Sequence, residues 1–206
     1  MDGREPVVFV VDDSVSVRKS LERLFRSVGL RVECFESAQD FLHGKRSNGP
    51  SCLVLDVRMP GLSGFDLQDA LRADNLRIPI IFLTGHGTVP QSVRAMKAGA
   101  VDFIEKPFED QLLLDAVQKA IERDRQERLV EDEIRQIKAR IDSLTPREYQ
   151  VLTEVIKGKL NKQIAFDLGT VEKTIKVHRG QVMRKMQVDS LAALVRMAEK
   201  AGVSRD

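Results

Sequence analysis

The apolar positions change period several times along the chain. Residues 7–11, VVFVV, form a short β-branched run ending at Asp12 and Asp13, the pattern of a parallel strand buried on both faces. Residues 14–29 switch to helical spacing, with Val17, Leu21, Leu24, Phe25 and Val28 closed by Gly29. The alternation then repeats. It predicts strands over 31–34, 52–55, 80–83 and 101–104, helices over 38–42, 64–71 and 89–98, and a fifth helix from near Glu109. Five strands alternating with five helices predict a parallel sheet with helices on both faces. In such a sheet the active crevice lies at the carboxyl ends of the strands.

The fifth helix lacks a stop signal. From Gln111 to Ser143 there is neither Gly nor Pro, so one helix is predicted over 109–141. Its stretch ERDRQER (122–128) reads as solvated on nearly all faces. Val130, Ile134, Ile137, Ile141 and Leu144 then recur at steps of 4, 3, 4 and 3. That stripe can pack on the segment that follows or on the linker helix of a partner. At TPRE (145–148) the character changes: Thr145 as N-cap, Pro146 in the first turn and Glu148 three residues after the Thr start a new helix. It carries Val151, Leu152, Val155 and Ile156 and ends at Gly158. Short helices follow over 162–168, 171–186 (basic) and 190–201, making a small all-α domain. The chain thus divides into 1–120, a helical linker over 121–142, and 143–206.

Composition narrows the classes. Apolar residues at 42% support a core, and charged residues at 31% argue against disorder. No apolar run approaches the roughly 18 residues that span a membrane. The N-terminal apolar run is short and ends in two aspartates, unlike a signal peptide, so a cytoplasmic protein without a membrane partner is expected. Cys34 and Cys52 lack metal-ligand spacing and read as reduced thiols near strand ends. The net charge of +2 hides a division. Residues 143–206 hold 12 Lys and Arg against 7 Asp and Glu, whereas the rest holds 21 against 24. Any polyanionic partner belongs to the second part.

The strand ends carry the chemistry: Asp12 and Asp13, Asp56, Thr84, and Lys106 just past the fifth strand. Three carboxylates in one crevice repel each other and need compensation. Oxygen ligands of this kind suit Mg²⁺, which typically takes one or two carboxylates and keeps several waters. A lysine and a threonine hydroxyl can hold the oxygens of a transferred phosphoryl group. The set fits a carboxylate that accepts phosphoryl. In the second part, Glu172, Lys173, Lys176, Val177 and Arg179 fall near the exposed start of the basic helix, as in a recognition helix placed in the DNA major groove. Ile175, Val182 and Met186 are spaced to face its core, and Lys162 and Thr174 suit backbone phosphates.

Two resemblances carry these readings further. Residues 5–120 resemble the receiver domain of two-component response regulators: Asp12-Asp13, LVLDVRMPGLSG (53–64), FLTGHG (82–87) and KAGAVDFIEKPF (97–108) match its acidic pair, phospho-acceptor segment, switch hydroxyl and switch aromatic with lysine. The match in detail is to regulators of the FixJ/NarL type. Residues 143–203 resemble their LuxR-type helix-turn-helix, through LTPREYQVL (144–152), NKQIAFDLG (161–169) and TIKVHRGQVMRKM (174–186). The resemblance implies a flavodoxin-like doubly wound sheet joined to a DNA-binding domain. It implies Asp56 as phospho-acceptor, and Mg²⁺ held by Asp13, Asp56 and the backbone carbonyl of Arg58, with Asp12 supporting through water. Thr84 and Phe103 would act as switch residues, the Lys106–Pro107 peptide would be cis, and Arg58 and His86 would tune the lifetime of the acyl phosphate. A sensor histidine kinase, promoter DNA, RNA polymerase and, after phosphorylation, a second copy of the chain are the implied partners.

Two positions depart from the pattern. Val171 stands where a capping side chain is usual, so Thr170 is the alternative N-cap. Gly180 sits mid-helix, where it costs roughly 1 kcal/mol against Ala unless close approach to DNA needs it. Three other classes fare worse. An aspartyl phosphatase of the haloacid-dehalogenase kind wants an Asp where Arg58 stands, and a P-loop NTPase wants a GxxxxGK[ST] segment, which the sequence lacks. A DNA-binding module indifferent to phosphorylation would leave the complete acidic set without a purpose.

Overall fold

The computed structural model describes residues 5–44, 49–85 and 87–203. They form two compact units, divided between Arg128 and Leu129. In the first, strands β1 (Val7–Val11), β2 (Arg31–Phe35), β3 (Ser51–Asp56), β4 (Ile80–Thr84) and β5 (Asp102–Glu105) alternate with helices α1 (Val15–Ser27), α2 (Ala38–His43), α3 (Gly64–Ala73) and α4 (Val89–Lys97). Helix α5 (Asp110–Asp142) follows, close to the predicted 109–141. The sheet is parallel throughout, in the order β2-β1-β3-β4-β5.

β1 explains the double cover. Val7, Phe9 and Val11 enter a core with Phe41, Leu67, Leu71 and Ala95 from α2, α3 and α4. Val8 and Val10 point the other way, onto Leu21 and Phe25 of α1 and Leu113, Val117 and Ile121 of α5. Both faces are therefore apolar, which is why the strands read as unbroken runs rather than alternations. The phenylalanines of the first core interlock: Phe41 meets Phe9 and Phe35 edge-on, with ring centroids 5.6 and 5.2 Å apart. β1 lies between β2 and β3, so successive connections run to opposite sides of it. The carboxyl ends of β1 and β3 are left uncovered at this switch point.

The stretch 122–128 departs from the expectation of a fully solvated helix. Asp124 is 2% exposed. Its Oδ2 accepts hydrogen bonds from the backbone N–H of Ser51 (2.7 Å) and from Nε of Arg128 (2.6 Å). The charge pattern on α5 alone could not show this, because the partner is the first residue of β3, 73 positions upstream.

The second unit contains α6 (Pro146–Ile156), α7 (Asn161–Asp167), α8 (Glu172–Met186) and α9 (Leu191–Lys200). Thr145 and Glu148 form the expected capping box, with Thr145 Oγ1 accepting from Glu148 N–H and Glu148 Oε2 accepting from Thr145 N–H. Glu148 also takes Nζ of Lys185 at 2.6 Å, tying the start of α6 to the end of α8. The core holds Val151, Leu152, Val155, Ile164, Ile175, Val182, Met186 and Leu194. The apolar stripe of α5 divides. Ile137 is buried in this core, with Ile141 and Leu144 against it. Ile134 is half-buried, and Val130 remains 48% exposed. The packing of the stripe on the following segment thus holds for its second half only.

Removing Asp124 strands the Ser51 N–H and takes away the carboxylate that Nε of Arg128 meets. Asp124→Ala is expected to lower the stability of the first unit by about 2 kcal/mol, the Arg128 pair being discounted because that side chain is 32% exposed. Ile137→Ala is expected to cost the second unit about 2–4 kcal/mol. Denaturant unfolding followed with a probe in each unit checks both, and a change in the wrong unit refutes the assignment.

Candidate functional site

The first site lies where the ends of β1, β3, β4 and β5 meet. One carboxylate oxygen from each of Asp12, Asp13 and Asp56 falls within 4.8 Å of the others. Asp12 is 1% exposed and fully engaged: Oδ1 accepts the Ser14 N–H (2.9 Å) and Oδ2 accepts Nζ of Lys106 (2.8 Å). The same ammonium stands 3.7 Å from Asp56 Oδ2, so one lysine serves two carboxylates. Asp13 is exposed and Asp56 half-buried. Burial raises the Asp56 pKa above the ordinary carboxylate value. Lys106 opposes the rise, Asp12 adds to it, and backbone N–H bonds from Arg58 and Val57 lower it.

The backbone fixes these positions. The N–H of Val57 donates to Leu83 O, and that of Lys106 donates to Thr84 O at 2.7 Å, so β3, β4 and the turn after β5 stay joined past their strand ends. The Lys106–Pro107 peptide is cis, as expected. Thr84 is fully buried at the end of β4, and Phe103 on β5 is half-buried against Phe82. Arg58 is exposed. His86 lies outside the described residues.

Three residues join the site that the sequence pattern did not single out. Arg18 on α1 donates to the Asp12 carbonyl oxygen at 2.6 Å. Gly64, at the first position of α3, lies so close to β3 that a Cβ there would come 2.3 Å from the Asp56 carbonyl oxygen. A glycine directly after a capping serine was the one available signal. Gly87 abuts both Thr84 and Phe103: a Cβ there would meet the Phe103 ring at 3.0 Å and the Thr84 methyl at 3.1 Å.

The second site is the surface of α7 and α8. Lys162, Glu172, Lys173, Lys176 and Val177 are exposed, and Thr174 and Arg179 are half-buried. Ile175, Val182 and Met186 face the core as their spacing predicts. Val171 is the N-cap of α8 and makes no side-chain cap bond, so Thr170 does not take its place. The Thr170 N–H is already spent on Ala165 O, which fixes the turn between α7 and α8. Nothing lies within 4 Å of a Cβ placed at Gly180, so no crowding within the chain calls for glycine there. One further residue emerges: Asn161 Oδ1 accepts from Nη1 of Arg179 at 3.1 Å. Among the described residues no helix is long and apolar enough to cross a membrane.

Comparison with known proteins covers both units. Residues 8–118 match the response regulator receiver domain family, and residues 142–198 match the luxR family of bacterial regulatory proteins. Nodulation protein W of Bradyrhizobium diazoefficiens is 54% identical over 96% of this chain and 87% of its own length. The transcriptional regulatory protein FixJ of the same organism is 44% identical, over 97% of each chain. The solved structure of the response regulator StyR matches with a TM-score of 0.87 and 50% identity, over 96% of this chain and all of that one. Full-length FixJ from B. japonicum matches with a TM-score of 0.57 and 44% identity, over 96% and 98%. The chain therefore belongs to the transcriptional response regulators of two-component systems, with a receiver domain and a LuxR-type DNA-binding domain.

Proposed function

We propose that Asp56 accepts a phosphoryl group from the phosphohistidine of a sensor kinase and that this modification switches promoter binding by the second unit. The observation that carries the reading is the clustering of Asp12, Asp13 and Asp56 at the open end of the sheet, with the Lys106 ammonium against Asp12 and Asp56. In the transfer, the P–N bond of phosphohistidine breaks as an Asp56 carboxylate oxygen forms the new P–O bond, and the ring nitrogen recovers its electron pair. The donor set is all oxygen and acidic, which fits Mg²⁺: Asp13, Asp56 and the Arg58 carbonyl would hold it, with Asp12 acting through water. The ion would supply positive charge against the phosphoryl oxygens.

Lys106 and the Thr84 hydroxyl then bind the phosphoryl oxygens, and Phe103 follows Thr84 inward. Arg58 and His86 adjust how long the acyl phosphate lasts. Self-phosphorylation from small donors and self-dephosphorylation are the most chemistry this site performs. Phosphorylation pairs two chains and so places two helix-turn-helix units on half-sites about one helical turn apart. Lys162 and Thr174 contact phosphates, and Glu172, Lys173, Lys176, Val177 and Arg179 lie at the groove, where the lysines and the arginine reach guanine edges or phosphates. Gly180 leaves room for close approach to the DNA backbone. RNA polymerase is the further partner, and the cytoplasm the compartment. We assign 1–120 to the receiver, 121–142 to the linker and 143–206 to the DNA-binding domain, with the last turns of the linker completing the core of the latter.

Two experiments test the reading. In the first, the full chain captures fragmented bacterial DNA with and without Mg²⁺ plus beryllofluoride. Discrete fragments are expected only with the acyl-phosphate mimic, and Asp56→Asn is expected to abolish the difference. Equal enrichment in both states refutes the switch. The second concerns charge. The folded chain holds the Asp56 proton more tightly than the unfolded chain does, so the ionised carboxylate costs stability. That cost grows as pH rises from the ordinary carboxylate range through the raised pKa. With a chelator present, Asp56→Asn is expected to raise Tm at pH 7, and the gain should vanish as pH falls toward about 4. Mg²⁺ should raise the Tm of the wild type and not of the variant. A variant that melts lower at pH 7 contradicts this account.

A further inference from the structure

Several basic residues of the second unit are paired with carboxylates inside it. Lys159 is bound between Glu154 and Asp167, Lys185 rests on Glu148, and Lys200 reaches Glu133. Their charge is spent inside the unit. Lys162, Lys173, Lys176 and Arg179 have no carboxylate partner among the described residues, and all four lie on α7 or on the first half of α8. Of these four, Arg179 is the one with a side-chain partner, and that partner is neutral: Nη1 donates to Asn161 Oδ1 at 3.1 Å. Asn161 is the first residue of α7, 18 positions upstream, and both residues are half-buried.

A guanidinium is a rigid plane with five N–H donors and a long flexible stem. Fixing one N–H to an acceptor on another helix orients the plane and leaves the remaining donors along known directions. A carboxylate in place of the amide would orient it equally well but would neutralise the charge that a phosphate must meet. An amide carbonyl orients without neutralising. We infer that Asn161 is a positioning residue for DNA binding: it aims the Arg179 guanidinium at the DNA while leaving its full charge available. The inference rests on the reading of Arg179 as a DNA-facing residue and adds a residue outside the contact set.

The test is a double-mutant cycle in the full chain with Mg²⁺ and beryllofluoride, using as probe the duplex most enriched in the capture experiment. Affinity is measured across a range of salt concentrations. Arg179→Ala should weaken binding about tenfold or more and reduce the salt slope by about one. If it does neither, Arg179 is not a contact, and the reading of that residue falls together with this inference. If Arg179→Ala weakens binding as expected, Asn161 is judged separately. Asn161→Ala should weaken binding about fivefold, yet Asn161→Ala with Arg179→Ala should bind no worse than Arg179→Ala alone. Additive losses overturn the inference, since Asn161 would then act on DNA itself or on folding. Asn161→Asp guards against a folding artefact, because Asp is favoured in the first turn of a helix and keeps the acceptor oxygen. It should give a folded protein with weaker binding and a smaller salt slope, both effects requiring Arg179. Wild-type affinity and slope in Asn161→Asp also overturn the proposal.

Discussion

Three carboxylates gathered within 4.8 Å repel one another, and the receiver unit sets the Lys106 ammonium against two of them. Lys106 reaches Asp12 at 2.8 Å and Asp56 at 3.7 Å from a turn whose backbone is itself hydrogen-bonded to the end of β4. The balance is incomplete. Asp12 is buried and satisfied, while Asp56 keeps a raised pKa in spite of the lysine. A half-buried carboxylate held beside two others favours an added cation, and under the proposed function that cation would also face the incoming phosphoryl group. Stability and chemistry are thus set against each other at one place, the usual compromise where a site must stay reactive.

The fold was legible because its signals are local. Doubly covered strands must be apolar on both faces, so VVFVV and IIFLT stand out without any knowledge of their neighbours. The capping box at Thr145 and Glu148 is likewise complete within four residues. The acidic site was legible for a different reason: parallel strands of similar length deliver their last residues to one edge. What the sequence concealed depends on contacts made at a distance. Asp124 sits in a run of charges that looks solvated until Ser51 is brought beneath it. Arg18 and Asn161 are ordinary polar residues of helices, and each acquires a role only through a partner on another element. The start of α8 was misjudged for the opposite reason. A preference for polar caps is worth only about 1 kcal/mol, and the tight turn held by Thr170 and Ala165 overrides it.

The second unit separates the structural use of charge from its use toward a ligand. Glu148 with Lys185, and Lys159 with two carboxylates, fasten helices together and leave little field outside. The cations of α7 and early α8 keep their charge. The local excess of lysine and arginine read from composition therefore understates how unevenly the positive potential is distributed, because much of it is cancelled on the spot.

The division of the α5 stripe bears on which changes of length the chain can tolerate. Each residue added to a helix turns everything beyond it by about 100°. An insertion between Ile137 and Thr145 would rotate Ile141 and Leu144 out of a core that depends on them. Upstream, around the exposed Leu129 and Val130, the helix has no core to disturb. Descendants of this sequence could gain or lose residues there and keep both units intact, so length variation among such regulators should accumulate around Leu129 and Val130 and stop before Glu133, which Lys200 holds.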